Sequence, residues 1–183
     1  MTYSDIGAGW PGSGNIDQAP LFLGGEDYHL LAGSPCIDTG DPMSSLDADG
    51  SPADMGAFPF ESPFIDLRQG LAGALGTPSL KGDGSLIAGQ PVTLRATGCW
   101  PFGPAYLVVS ATDFSAPFAG GILVPHPDLL FGVTVDGFGE VSLGGPWPAG
   151  VPTGVATYFQ YWIVDAGGPF GFSATNAVAG VAP

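Results

Sequence analysis

Positive charge is what this chain has least of. Three basic residues, Arg68, Lys81 and Arg95, stand against 17 acidic ones in 183 positions, a formal net charge of −14. That balance excludes nucleic acid as a partner, because phosphates are gripped by Lys and Arg. An anionic membrane surface is disfavoured for the same reason. Hydrophobic runs are short, none approaching the ~18 apolar residues of a membrane span. Helical periodicity is missing: no window of about twelve residues keeps a 3.6 spacing of apolar residues without a Gly or Pro inside it. Cysteine is scarce. Cys36 and Cys99 are the only two, and no C-x-x-C or Cys/His cluster offers a zinc site. One disulfide stapling the two halves of the chain and two separate buried thiols are both open readings, since sequence does not say whether the Cβ atoms face each other.

What is present is turn chemistry and aromatic bulk. Gly (31) and Pro (19) make up about 27% of the chain, a level at which disorder is worth considering. Against that, 45% of residues are hydrophobic and 12 are Phe, enough to bury a core. Many turns, many aromatics and few charges fit an all-β chain.

Composition shifts along the sequence. Residues 1–66 hold eleven of the acidic side chains and no Lys or Arg; residues 67–183 hold six, with all three basic residues. Pro59-Phe60-Glu61-Ser62-Pro63 reads as the end of a first unit, 1–62. Gly70, Gly73, Gly76 and Pro78 punctuate a linker, 63–78, or a short strand passing into the second unit, which covers 79–183. In the first unit the expected strands are short, at 2–6, 21–22, 29–30 and 36–37. In the second, turn signals every 8–15 residues separate expected strands at 92–96, 105–111, 121–124, 129–135, 139–143, 156–165 and 171–177. Seven short strands so spaced predict a β-sandwich. The run at 156–165 is apolar on both faces, as a central strand is.

Two resemblances follow from particular motifs. Asn15-Ile16-Asp17, Pro20-Leu21-Phe22, Asp27-Tyr28-His29-Leu30 and Ser34-Pro35-Cys36-Ile37-Asp38-Thr39-Gly40, followed by Asp47-Ala48-Asp49-Gly50 and Asp54-Met55-Gly56-Ala57, resemble the closing coils of secreted right-handed parallel β-helix proteins. Gly76-Thr77-Pro78-Ser79-Leu80, Pro117-Phe118-Ala119-Gly120-Gly121 and Phe159-Gln160-Tyr161-Trp162-Ile163-Val164-Asp165 look like a C-terminal sandwich module. Such modules end large secreted proteins of planctomycete-type bacteria. The resemblances imply terminal β-helix coils followed by an immunoglobulin-like β-sandwich, at the cell surface or secreted. They also imply that Met1 lies inside a longer solenoid, whose open end needs a cap, upstream coils or self-association to cover it. The role implied is non-catalytic: capping the helix, with attachment or sorting as a second task.

Several constellations bear on chemistry. Asp47, Asp49 and Asp54 surround a Gly turn and are the candidate Ca²⁺ ligands, since Ca²⁺ takes six to eight oxygens. The competing reading is an Asp-rich turn whose carboxylates accept backbone N–H bonds. Asp5, Asp17, Asp27 and Asp38 read as corner residues; a polysaccharide lyase or hydrolase would pair such carboxylates, but a lyase would also want a Lys or Arg that this segment lacks. His29 and His126 are the only histidines, and no G-x-S-x-G elbow accompanies them. Trp100 and Trp147, in Trp100-Pro101-Phe102 and Pro146-Trp147-Pro148, are candidate stacking platforms for a polysaccharide, with core packing as the plainer alternative.

Overall fold

The computed structural model describes residues 1–24, 27–47 and 51–183. The described residues are all-β, with thirteen strands, one 3₁₀ turn at Pro169–Gly171 and no helix long and apolar enough to cross a membrane. The chain separates into two compact units, Met1–Ser62 and Pro63–Pro183.

In the first unit, β1 (Phe22–Gly24) and β2 (Asp27–Leu30) form an antiparallel hairpin. Beyond it the described residues of this unit add one isolated parallel bridge, Asp5 to Ile16. Residues 2–6 contribute that bridge only, and 36–37 lie in a turn, so the strands expected there do not form. The physical reason is visible in the bonding. Ser34 Oγ accepts the Cys36 N–H and donates to the Pro20 carbonyl, and Asp54 Oδ1 accepts the Asp38 N–H. Side chains thus take bonds that a neighbouring strand would otherwise supply. No sheet among the described residues is solenoid-like. Leu30, Cys36 and Met55 make a small core here, with Tyr3, Ile16, Ile37 and Phe60 against it.

The second unit is two facing sheets. Three strands, β4 (Ser79–Gly84), β5 (Pro91–Thr97) and β10 (Val141–Pro146), pair in the order β10-β5-β4. The larger sheet runs β3-β13-β11-β6-β9, all antiparallel: β3 (Phe64–Arg68), β6 (Pro104–Ser110), β9 (Leu129–Thr134), β11 (Ala156–Val164) and β13 (Ala177–Val181). Strand β12 (Phe172–Ala174) continues the edge of β11 beyond β13. Of the two readings of 63–78, a linker or a short strand passing into the second unit, the segment carries a strand, β3. Strand β5 alternates strictly, with Val92, Leu94 and Ala96 buried. These meet Leu80 and Val141 on their own sheet and Ala105, Leu107, Phe159, Tyr161, Ile163 and Val178 across the gap, in one continuous core. Asn176 links the two layers in the manner of a strand residue: its Oδ1 accepts the Leu80 N–H at 2.7 Å and its Nδ2 donates to the Leu80 carbonyl at 3.0 Å.

The larger sheet is covered on its second face too. A hairpin of β7 (Asp113–Phe118) and β8 (Gly121–Pro125) lies over β6 and β11. Val108, Leu123, Trp162 and Ala174 form a second core there, flanked by Leu71, Ala119 and Phe172. This accounts for the apolar character of both faces of β11.

Candidate functional site

The expected sites are best judged by what their atoms already hold. Asp54 accepts the Asp38 N–H with one carboxylate oxygen and the Phe60 N–H with the other. Asp47 Oδ2 accepts the Asp54 N–H at 3.1 Å. Asp49 lies outside the described residues. Asp47 and Asp54 thus brace a loop through backbone bonds, the arrangement of an Asp-rich turn. No three His, Cys, Asp or Glu side chains gather closely enough among the described residues to share a metal ion.

The two thiols are free and both buried. Cys36 belongs to the small core of Met1–Ser62 and donates to Asp5 Oδ2. Burial, reinforced by Asp5, pushes its pKa up. Cys99 sits in the main core of the sandwich, where burial first and then the Asp136 charge push its thiol up to about 11. Of the two cysteine readings, the structure has the separate buried thiols, each claimed by its own core. A cavity of about 500 Å³ in the first unit is lined by Tyr3, Asp5, Gln18, Phe22, Cys36 and Met55. Its Asp5 carboxylate is occupied at both oxygens, by Cys36 Sγ and by the Gln18 N–H. A protonated thiol is a poor nucleophile.

Each histidine is held by an aspartate two residues away. His29 Nδ1 is 2.6 Å from Asp27 Oδ1, and its ring stacks on Phe58 at 4.4 Å. His126 Nδ1 is 2.7 Å from Asp128 Oδ1, while Ser110 Oγ donates to Asp128 Oδ2 at 2.6 Å. Asp128 is pulled below the usual carboxylate range by the Ser110 bond first and then by His126. Serine, aspartate and histidine are all present here, but the carboxylate stands between the other two. In a nucleophilic triad the histidine occupies the middle and takes the serine proton. The Ser110 hydroxyl is committed to a carboxylate and, as acceptor, to the Thr112 N–H. The arrangement locks the β6–β7 turn.

The expected tryptophan pair divides. Trp147 is buried in the main core, so it offers no face to a sugar. Pro146 ends β10 and backbone bonds to Gly89 and Gln90 hold Trp147 against the sandwich interior. Trp100 is exposed, and it has neighbours that sequence reasoning missed. Trp100 and Phe102 ride the β5–β6 loop, and Phe138 rides the β9–β10 loop. The two loops interlock through Cys99 N–H to the Gly139 carbonyl and Phe102 N–H to the Asp136 carbonyl. Asp136 Oδ1 accepts both the Phe138 and Glu140 N–H groups, fixing the second loop as a tight turn. Gly139, at φ +78°, has no room for a Cβ, which would stand 2.6 Å from the Cys99 carbonyl. Phe102 itself sits at φ +58°, a left-handed conformation uncommon for a bulky residue. Its ring lies over Gly137, where an added Cβ would meet it at 2.9 Å. The result is three outward aromatic rings at one end of the sandwich, at 42% exposure for Trp100, 75% for Phe102 and 92% for Phe138. The signal was in the sequence: Trp-Pro-Phe and Asp-Gly-Phe-Gly are both aromatic residues placed within turn formers.

The site this fold defines is therefore an aromatic loop surface on a β-sandwich. No protein-family model matches the chain, and no curated protein or solved structure matches it.

Proposed function

We propose that this chain is a non-catalytic binding and attachment segment of a secreted or cell-surface protein, and that Trp100, Phe102 and Phe138 form its contact surface for polysaccharide. The observation that supports the reading is the exposure of these three rings on two interlocked loops. Apolar side chains grouped in one exposed patch, unlike singly scattered ones, mark an interaction surface. Sugar rings present axial C–H groups that suit the negative face of an aromatic ring. The low positive charge points to neutral glycans before acidic ones. The finer architecture belongs to the same proposal: terminal rungs of a right-handed β-helix in Met1–Ser62, and an immunoglobulin-like sandwich in Pro63–Pro183. The parallel Asp5–Ile16 bridge and the two facing antiparallel sheets support it.

Affinity electrophoresis against a panel of soluble neutral and acidic polysaccharides tests the contact surface. Retardation of the wild-type chain, reduced tenfold or more by Phe138→Ala and by Trp100→Ala with unchanged circular dichroism, is expected. Migration unaltered by every glycan in the panel would remove the proposal.

A further inference from the structure

The edge of the larger sheet carries a second surface, independent of the loop aromatics. Among the described residues, strand β9 pairs with β6 on one side only and ends the sheet. An edge strand is normally protected by Lys, Pro, a bulge or an inward charge, because its free N–H and C=O groups recruit other strands. Strand β9 has none of these. Its sequence, Leu-Leu-Phe-Gly-Val-Thr, contains no charge and no Pro, and its register against β6 is unbroken from Leu129 to Thr134. Leu129, Leu130 and Phe131 are exposed to 54%, 60% and 47%. The sandwich is also open beside it. Phe131 lies opposite Leu107, and Leu143 of β10 lies opposite Leu94, so both point to the main-core side, yet both are exposed.

The geometry points to a second copy of this chain as the occupant, with two β9 strands paired antiparallel about a two-fold axis at Phe131. The strand is its own complement in that register. Phe131 meets Phe131, Leu129 faces Val133, and the exposed Leu130 faces the empty side of Gly132. A large side chain is thus set opposite none, on the face shared with Val108 and Tyr106. Charge agrees. Asp128, the carboxylate that precedes the strand, falls opposite Thr134 of the second copy, so carboxylate does not face carboxylate despite the acidity of the chain. A closed two-fold pair would bury both free edges, as isologous interfaces do. A foreign strand would need its own gap opposite Leu130, which the second copy supplies without further assumption.

Sedimentation velocity on the full chain, from about 1 to 300 µM, reads the equilibrium, since one edge ladder is smaller than the ~800 Å² per partner of a standard interface. Reversible passage from 18.4 kDa to twice that mass is expected. Leu130→Lys, at an exposed position, should leave a folded monomer throughout. Gly132→Val is the sharper test. A Cβ at Gly132 would find the Tyr106 ring at 3.8 Å, ordinary contact, so the monomer should fold. The new side chain would fill the gap that receives Leu130 and should weaken the dimer tenfold or more. Adding Leu130→Ala to Gly132→Val should return most of that loss. A monomer at every concentration, a dimer indifferent to either substitution, or growth beyond two copies would each overturn the inference.

Discussion

Replacing Gln160 by Leu should cost the sandwich about as much as removing a large core side chain, although volume and shape barely change. Gln160 is 0% exposed in the middle of β11. Its Oε1 accepts the Val124 N–H and the Trp162 Nε1–H, both at 3.1 Å. Its Nε2 donates to the carbonyls of Ile122 at 3.1 Å and Thr175 at 3.2 Å, with Gln69 further off at 3.4 Å. One side chain therefore ties the β7–β8 hairpin to the sheet beneath it and to the β12–β13 connection. A leucine would leave the two donors and the carbonyls facing it without these bonds. A buried polar group left unpaired costs about 1–3 kcal/mol, so the two donors alone imply about 2–6 kcal/mol. For a unit of this size that lowers Tm by roughly 10 °C or more. Differential scanning calorimetry and denaturant titration would measure it, and hydrogen exchange at the Val124 amide would localise it. Gln160→Glu should fare no better, because a carboxylate cannot donate to Ile122 and Thr175 and would bring an unpaired charge into the core. A Gln160→Leu variant within about 0.5 kcal/mol of wild type would refute the reasoning, because it would mean that apolar packing fully replaces the network.

Three further outcomes are expected. Tyr161→Phe should be neutral or stabilising by up to about 1 kcal/mol, since the phenol is buried and its oxygen has no hydrogen-bond partner among the described residues; thermal denaturation of the two proteins decides it. Burial raises the Tyr161 pKa to about 12 and the Cys99 pKa to about 11. Both groups hold their protons more tightly folded than unfolded, so their contribution is complete below the ordinary values of 9.0 and 10.0 and is lost as pH rises through 11 and 12. Denaturation curves should show stability falling across that alkaline range, less steeply in Cys99→Ala below pH 11. In the first unit, Asp54→Ala should lower stability by about 1–2 kcal/mol, because the Asp38 and Phe60 N–H groups lose their acceptor; the same deficit with Ca²⁺ and with chelator is expected, and a melting point that rises only when Ca²⁺ is added would restore the cation reading of Asp47 and Asp54.

Strands whose burial alternates or is complete could be read from sequence. Residues 92–96 fall within β5, 105–111 overlap β6 and 156–165 overlap β11, because Val, Leu and aromatic residues there follow the period of the sheet. The strands that escaped have weak side-chain signals. Strand β4 reads Ser-Leu-Lys-Gly-Asp-Gly, with Leu80 as its one large inward residue; Gly82 is needed because Phe64 packs 2.3 Å from where its Cβ would be. Strand β7 contains Pro117 and is interrupted by a register shift, and β13 is built from Ala, Val and Gly. In each, tertiary neighbours supply what local propensity does not. The loop aromatics were half legible. Trp-Pro-Phe and Pro-Trp-Pro look equivalent in sequence, yet one ring points out and the other in. The difference lies in the backbone bonds around each ring, Cys99 to Gly139 and Phe102 to Asp136 in one case and Trp147 itself to Gln90 in the other, which no local pattern reveals.

The order of strands in the larger sheet bears on how the chain leaves the ribosome. Strand β3 opens the second unit, but its ladder partner is β13, in the register Phe64 to Gly180. During vectorial synthesis at about 5–20 residues per second, β3 therefore waits on the order of ten seconds for the strand that pairs with it. Strand β11 cannot fill its far edge until the same segment arrives. Synthesis of β13 thus closes the sheet, and until then the edges of β3 and β11 that it joins stay unpaired.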